Sequence, residues 1–552
     1  MIRFAAFAAL IASALPSLPS TLAAQQMPRL ESKDGHFALL IEGKPFLMLG
    51  AQIHNSSSWA GSLPNAWQTL EALHANTVEA PVYWEQMEAE PGKFDFSGVD
   101  LLLSGAREHH LKLVLLWFGT WKNGQAHYVP GWMKQNTRKY PREISAQGRV
   151  LDVMSPNAEA NLDADKHAFA ALMKHVREVD GEQHTVILVQ VENESGSIGS
   201  VRDYSASAQK QFDASVPSSL TTALHRRAGS WSKVFGAEAD ESFAAYSTAR
   251  YVNEVTKAGK VEYPLPMYCN VWLAYPVHAL ENRDRASAGQ EYPSGGPQQP
   301  NIAIWKAAAP AIDALAPDYY SDDSAFFREV LTTYHRSDNP VLIPETGTGK
   351  SFGRYLFYAL GSGAVGFAPF GIDRADPVLG EAVPSYLSEN FALLKPISEQ
   401  IAQLNFDGKL KTAVEEKGTA RQLLHFGDIE AVASFGFPQR DGEVPPGTPD
   451  LQGRILIAQL APLEFLVTGF DTSVSFRLQH TPASASANDE QLEILQAEEG
   501  EYVDSVWHRA RIWNGDETDR GLQFKAGNRH VVRIRLHRIP LFDPSAQPHA
   551  GG

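Results

Sequence analysis

Between about residues 36 and 400 the chain repeats one pattern: a short apolar run, a polar stretch, then apolar positions every three or four residues. The apolar runs fall at 46–51, 77–82, 112–117, 185–191, 265–271, 314–320, 340–344 and 364–370. Leu113-Val114-Leu115-Leu116-Trp117 and Val186-Ile187-Leu188-Val189 are apolar at consecutive positions, as in strands of a parallel sheet buried on both faces. Helical spacing lies between the runs and predicts helices over 66–74, 99–109, 162–179, 242–258 and 324–335. Eight strands alternating with helices predict an α/β fold, a (β/α)8 TIM barrel with long loops. A doubly wound open sheet is the alternative.

The pattern changes after about residue 405. Val532, Ile534 and Leu536 alternate with Arg533, Arg535 and His537, as in a half-buried strand. Residues 454–460 and 465–478 also read as strand, with Gly, Pro and Asp clusters between. The expected division is a barrel over 25–404 and a smaller all-β sandwich over 405–552. Residues 438–453, rich in Gly and Pro, are expected to be a surface loop. Residues 284–301 carry three glycines and three prolines after the fifth barrel strand and are expected to be a flexible excursion on the catalytic face.

The first 24 residues stand apart from both domains. Arg3, an apolar run to Leu15 and the small-residue exit Leu22-Ala23-Ala24 read as a secretory signal peptide, shorter than a membrane span. The mature protein is therefore expected to be exported, periplasmic or secreted, with no membrane attachment.

Composition removes several function classes. With 552 residues, 43% hydrophobic, the chain is neither disordered nor a small disulfide scaffold. Lys and Arg number 48 against 64 Asp and Glu, a net charge of −16, which argues against a nucleic-acid partner and favours neutral ligands. The single cysteine, Cys269, excludes an internal disulfide and a multi-cysteine metal site. No cofactor or metal is implied, and nothing indicates an oligomeric state.

In a barrel, functional side chains sit at the carboxyl ends of strands. The fourth strand ends Val189-Gln190-Val191-Glu192-Asn193-Glu194, and the seventh Ile343-Pro344-Glu345. Each buried strand runs straight into a carboxylate. Read singly, these are solvated loop-entry residues; read together, they suit glycoside hydrolysis, where one carboxyl protonates the leaving oxygen and the other attacks or activates water. Flat aromatic faces near strand ends suit sugar rings. Trp84, Trp117, Trp121, Trp272 and Phe370 hold such positions, with Phe370 weighted toward packing, and His54-Asn55 follow the first strand.

The sequence Gln190-Val191-Glu192-Asn193-Glu194 resembles the signature of glycoside hydrolase family 35, the β-galactosidases, within the clan of (β/α)8 retaining glycosidases that also includes family 42. The stretch from Trp84 through Glu88-Ala89-Glu90-Pro91-Gly92 to Phe96 is similar to a pattern shared with family 42. The resemblance covers about residues 36–400, and the C-terminal part resembles the β-domain of some bacterial members. It implies that Glu194 is the acid/base, Glu345 the nucleophile, Asn193 a donor to the sugar 2-hydroxyl and Tyr320 the phenol orienting Glu345. Pro81, Glu85 and Met87 stand where many members have Tyr, Asn and His, and Trp117-Phe118-Gly119-Thr120-Trp121-Lys122-Asn123-Gly124 replaces the usual segment after strand three. A bacterial subgroup acting on galactosyl side chains of xyloglucan shares this replacement. The expected function is thus a retaining exo-β-galactosidase acting on a carbohydrate, through Glu194 and Glu345, with Asn193, Tyr320, Trp84, Trp117, Trp272 and His54 as substrate contacts. A related glycosidase of other specificity, a β-arabinosidase or endo-glycanase, and a non-catalytic glycan binder are the alternatives.

Other motifs fail on context. Gly361-Ser362-Gly363-Ala364-Val365-Gly366 has dinucleotide-loop spacing but follows a helix and precedes a strand, the reverse of the required order. A glycine here is expected instead to end the helix in a left-handed turn. Gly349-Lys350-Ser351-Phe352-Gly353 matches a nucleophile elbow, yet several loop residues separate it from its strand. No His-Glu-x-x-His is present.

Overall fold

A computed structural model describes residues 26–274, 286–374, 383–435, 451–479, 490–525 and 527–541. The expected leader at 1–24 and most of the expected loop at 438–453 lie outside them. The eight barrel strands are, in chain order, Met48–Gln52, Thr77–Tyr83, Lys112–Lys122, Val186–Asn193, Met267–Trp272, Ala314–Asp318, Leu342–Thr346 and Gly366–Pro369. They pair in parallel as one eight-stranded sheet that begins at the sixth strand and ends at the seventh. Tyr319, just beyond the sixth strand, bridges to Thr346 of the seventh and closes the ring.

The consecutive apolar positions are explained by burial on both faces. Along the third strand, Leu113, Leu115 and Trp117 join the layer under the helices, while Val114, Leu116 and Phe118 fill the barrel interior. The helices Leu63–Leu73, Ser97–Glu108, Glu159–Asp180, Ala239–Glu262 and Ser324–Tyr334 lie within a few residues of the expected ones. Helix Lys350–Gly361 ends as anticipated, with Gly363 in the left-handed region at φ 80. An antiparallel sheet, Arg29–Lys33, His36–Ile41 and Lys44–Phe46, brings Leu39 and Ile41 into the inner core and closes the amino-terminal end of the barrel.

Residues 286–301 are not an open excursion. Ser294 is fully buried, Tyr292 donates to Glu241 at 3.0 Å, and the Trp305 indole donates to the Gly295 carbonyl at 3.0 Å. A Cβ on Gly289 would lie 2.2 Å from the Ser200 carbonyl oxygen, so glycine here permits close backbone packing rather than motion.

Beyond helix Ser398–Phe406 the chain forms two antiparallel sheets. One has six strands, in the order Leu410–Val414, Arg454–Ala461, Glu464–Phe470, Val531–Pro540, Glu490–Val503 and Val506–Trp513. The other has four: Arg421–Phe426, Ile429–Phe435, Thr472–Leu478 and Leu522–Phe524. Ile457, Phe465 and Val532 of the first meet Phe426, Val474 and Phe524 of the second in one core, which makes a sandwich. The stretch expected as a single strand at 465–478 is two, broken at Asp471 with φ 48. The outer face of the larger sheet packs on the barrel through Leu456 and Leu466. Thr412 donates to the Phe357 carbonyl at 2.8 Å and buried Arg454 to Asn390 at 2.8 Å, tying sheet to barrel helices. Among the described residues no helix is long and apolar enough to cross a membrane.

Candidate active site

The fourth strand delivers Glu194 in an unusual backbone state. Glu192 and Glu194 have φ of 64 and 47, values that side chains bearing a Cβ adopt only at some cost. The surroundings hold this turn: Asn270, on the fifth strand, accepts the Glu194 backbone N–H at 2.8 Å and donates to Asp318 at 2.7 Å. Glu345 ends the seventh strand. The Tyr320 hydroxyl donates to its Oε1 at 2.5 Å and Gln52, ending the first strand, to its Oε2 at 3.1 Å, which fixes the plane of the carboxyl.

Strands four, six and seven thereby bring Glu194, Asp318 and Glu345 together, with one carboxyl oxygen of each within 4.8 Å of the others. Each side chain is less than a tenth exposed. They face a cavity of about 680 Å³ that Lys122, Trp272 and Phe370 also line, a volume within the range for small-ligand sites.

Three carboxylates so close cannot all carry charge. Burial, and then the charge of Glu345, push the Glu194 carboxyl up to about 7, while Lys122 pulls the other way. Burial and both glutamates hold Asp318 well above the usual carboxylate range, and protonated Asp318 is a donor toward Glu194. Deeper in the barrel, burial and Glu345 likewise raise Glu79, whose Oε2 lies 3.4 Å from the Tyr268 hydroxyl. The Lys122 ammonium donates to Asn193 Oδ1 at 2.9 Å. That contact orients the amide, leaving its buried Nδ2 without a protein partner.

The structure separates the expected sugar contacts into two groups. Glu194, Glu345, Tyr320, Trp272 and Phe370 line the cavity, and Asn193 sits beside it on Lys122. Phe370, weighted toward packing from sequence, is part of the wall. His54 does not line the cavity, its ring lying 5.7 Å from Phe370, while Asn55 reaches the cavity. Trp84 and Trp117 do not line it. Both are fully buried under the helices, with indole N–H groups donating to Glu88 at 2.8 Å and Asp165 at 2.9 Å. Trp121 is equally buried, edge-on to Tyr251. Cys269 is a buried thiol 3.4 Å from the Ser195 hydroxyl.

Gln52, Lys122 and Asp318 were not anticipated. Each is a polar residue at or just past the end of a barrel strand, the signal that revealed Glu345. Among the described residues the three carboxylates are also the one group with metal-ligand spacing. Tyr320, Gln52 and Asn270 already donate to its oxygens, and Lys122 supplies a neighbouring positive charge. The arrangement is suited to proton transfer and nucleophilic attack.

Residues 38–266 match the family model described as Glycosyl hydrolases family 35, and residues 387–525 match a domain of unknown function, DUF5597. A β-galactosidase of Xanthomonas manihotis is 27% identical over 214 residues, 37% of this chain and 32% of that protein. Beta-galactosidase 8 of Arabidopsis thaliana is 26% identical over 200 residues, 34% of this chain and 22% of that protein. The matched region thus spans about a third or less of the length of these curated relatives. A β-galactosidase structure from Bacillus circulans sp. alkalophilus superposes with a TM-score of 0.46 at 14% identity, covering 64% of this chain and 57% of that one.

Proposed function

We propose, from the premise that residues 38–266 form a glycosyl hydrolase family 35 domain, that this chain is a retaining exo-β-galactosidase. One observation carries the reading: two carboxyls at the ends of strands four and seven, with one oxygen of each within 4.8 Å of the other, of which Glu194 is pushed up to about 7. Retaining glycosidases hold their carboxyl pair about 5–5.5 Å apart, whereas inverting enzymes leave roughly 6.5–9.5 Å for a water.

In the first step a Glu345 oxygen attacks the anomeric carbon while the Glu194 proton passes to the departing glycosidic oxygen. The C–O bond breaks and a glycosyl ester forms on Glu345. Esterification removes the Glu345 charge, one of the two causes that raise Glu194, so Glu194 becomes a weaker acid's opposite: a stable carboxylate ready to act as base. It then takes a proton from water as that water displaces Glu345, returning the β anomer. Tyr320 and Gln52 aim the nucleophile, and the unpartnered Nδ2 of Asn193 suits the sugar 2-hydroxyl. Trp272 and Phe370 offer apolar faces to sugar C–H groups.

The galactosyl side chains of xyloglucan are the proposed natural substrate. Support comes from the segment shared with that subgroup, because its Lys122 and Asn123 line the cavity. Hydrolysis of aryl β-glycosides beside galactosylated xyloglucan oligosaccharides tests specificity; absence of cleavage of every β-galactoside defeats it. Retention is tested with Glu194→Ala and azide on an activated substrate. Rescued turnover is expected to give a β-glycosyl azide, and an α product rules out double displacement.

A further inference from the structure

Among the described residues one large aromatic side chain beside the barrel strands is left open by its packing. Trp59, on the loop after the first barrel strand, is 48% exposed. A lone exposed apolar residue needs no explanation. Here, however, the indole is held flat. Its ring lies 5.8 Å from Tyr83 at an interplanar angle of 22°, and Tyr83 stacks in turn on Tyr128 at 5.3 Å and 14°.

The support is rigid. The Tyr83 hydroxyl accepts the Ser58 backbone N–H at 3.2 Å, and the Trp59 carbonyl accepts the N–H groups of Ser62 and Leu63 at 2.8 and 3.0 Å. Ala60 is exposed and a Cβ added to Gly61 would meet nothing within 4 Å, so the residues that follow Trp59 stand open to solvent. A fixed aromatic face of this kind loses little freedom when a flat, uncharged ligand settles on it.

Its position joins it to the cavity. Lys122, which lines the cavity, lies 5.1 Å over the Phe118 ring, and Phe118 packs at 6.3 Å against Tyr83, beneath Trp59. Asn55, also in the cavity wall, precedes Trp59 by four residues, at most about 14 Å of chain. We infer that Trp59 is a distal sugar-binding platform that stacks on a further pyranose of the glycan whose terminal residue occupies the Glu194–Glu345 cavity. This rests on the glycosidase reading for the terminal sugar, while the stacking itself requires only a glycan.

The test compares wild type, Trp59→Ala and Trp59→Phe on p-nitrophenyl β-galactoside and β-1,4-galactotriose. The ratio of kcat/KM for the trisaccharide to that for the aryl substrate is expected to fall about tenfold in Trp59→Ala and to be largely restored in Trp59→Phe. An unchanged ratio overturns the platform even where both substrates are cleaved. Should wild type cleave neither, the β-galactosidase reading fails by itself, and migration in gels containing soluble galactosylated xyloglucan decides the platform. Retardation of wild type that is lost in Trp59→Ala supports it; equal migration of the two overturns it.

Discussion

The barrel mouth and the C-terminal sandwich bury polar groups in opposite ways. At the mouth and just below it, Gln52 Oε1, Glu79 Oε1, both amide atoms of Gln190, Glu192 Oε1 and Asn193 Nδ2 are buried without a protein partner. Among the described residues the sandwich has no such atom. Its interior is Ile455, Ile457, Phe465, Val467 and their like, and charges such as Arg533 with Glu464 and Arg538 with Asp428 are paired on its strands. One region leaves buried hydrogen-bonding capacity unused within the protein, and the other closes it. Substitutions should therefore divide cleanly, harming activity in the first and stability in the second.

The sharpest break comes from Glu345→Gln. Loss of the proposed nucleophile should lower kcat by at least about 10⁴-fold in a steady-state assay. The melting temperature should hold or rise, because one of three crowded carboxylates is gone; a fall of many degrees would make Glu345 a structural residue instead. Phe465→Ala is the converse. This fully buried ring, 5.2 Å from Phe426 and 4.9 Å from Phe476, should cost about 3–5 kcal/mol in urea titrations with kcat/KM intact below the transition.

Glu143 refines the contrast, because it is buried near the mouth without facing the cavity. Burial and then Asp203 push it up to about 8 from the ordinary 4.5, and the Ser197 hydroxyl lies within 2.7 Å of both its oxygens. Between those two values the folded protein keeps a proton that the unfolded chain releases. Stability should then decline as pH rises from about 4.5 to about 8, by no more than about 1.4 kcal/mol per unit from this group. Glu143→Gln should flatten the curve, and an unchanged slope would remove Glu143 as its source. The smallest effect belongs to Asp318. With Glu194 as the acid, kcat/KM should fall as pH passes about 7. Asp318→Ala removes a donor toward the Glu194 carboxylate and should move that limb upward, whereas Asp318→Asn keeps a donor and should leave it nearer 7.

Much of the barrel was legible because its strands are buried on both faces and stand out as unbroken apolar runs. The same property hid which residues point inward. Tyr83 and Trp84 are neighbours, as are Trp117 and Phe118; in each pair the tyrosine or phenylalanine faces the barrel interior and the tryptophan the helices. Alternation sends successive side chains to opposite faces, and a run apolar throughout gives no sign of which is which. The carboxylates of Glu194 and Glu345 escaped this ambiguity because they end their runs. The hairpin of Glu490–Val503 with Val506–Trp513 was illegible for the opposite reason. Most of it has neither face fully buried, with Leu495 and Val506 exposed, so no alternation of apolar and polar residues marks it.

The left-handed backbone at Glu194 bears on how such a site persists. Glycine or asparagine occupies that conformation more comfortably than glutamate, and either would also remove a charge from a crowded, desolvated position. Protein libraries sorted for thermal tolerance alone should therefore enrich for variants that have lost Glu194. Under the proposed reaction, catalysis is the pressure that keeps an acidic side chain at this turn, and relaxed demand for it would leave a sturdier barrel with the same outline and no chemistry.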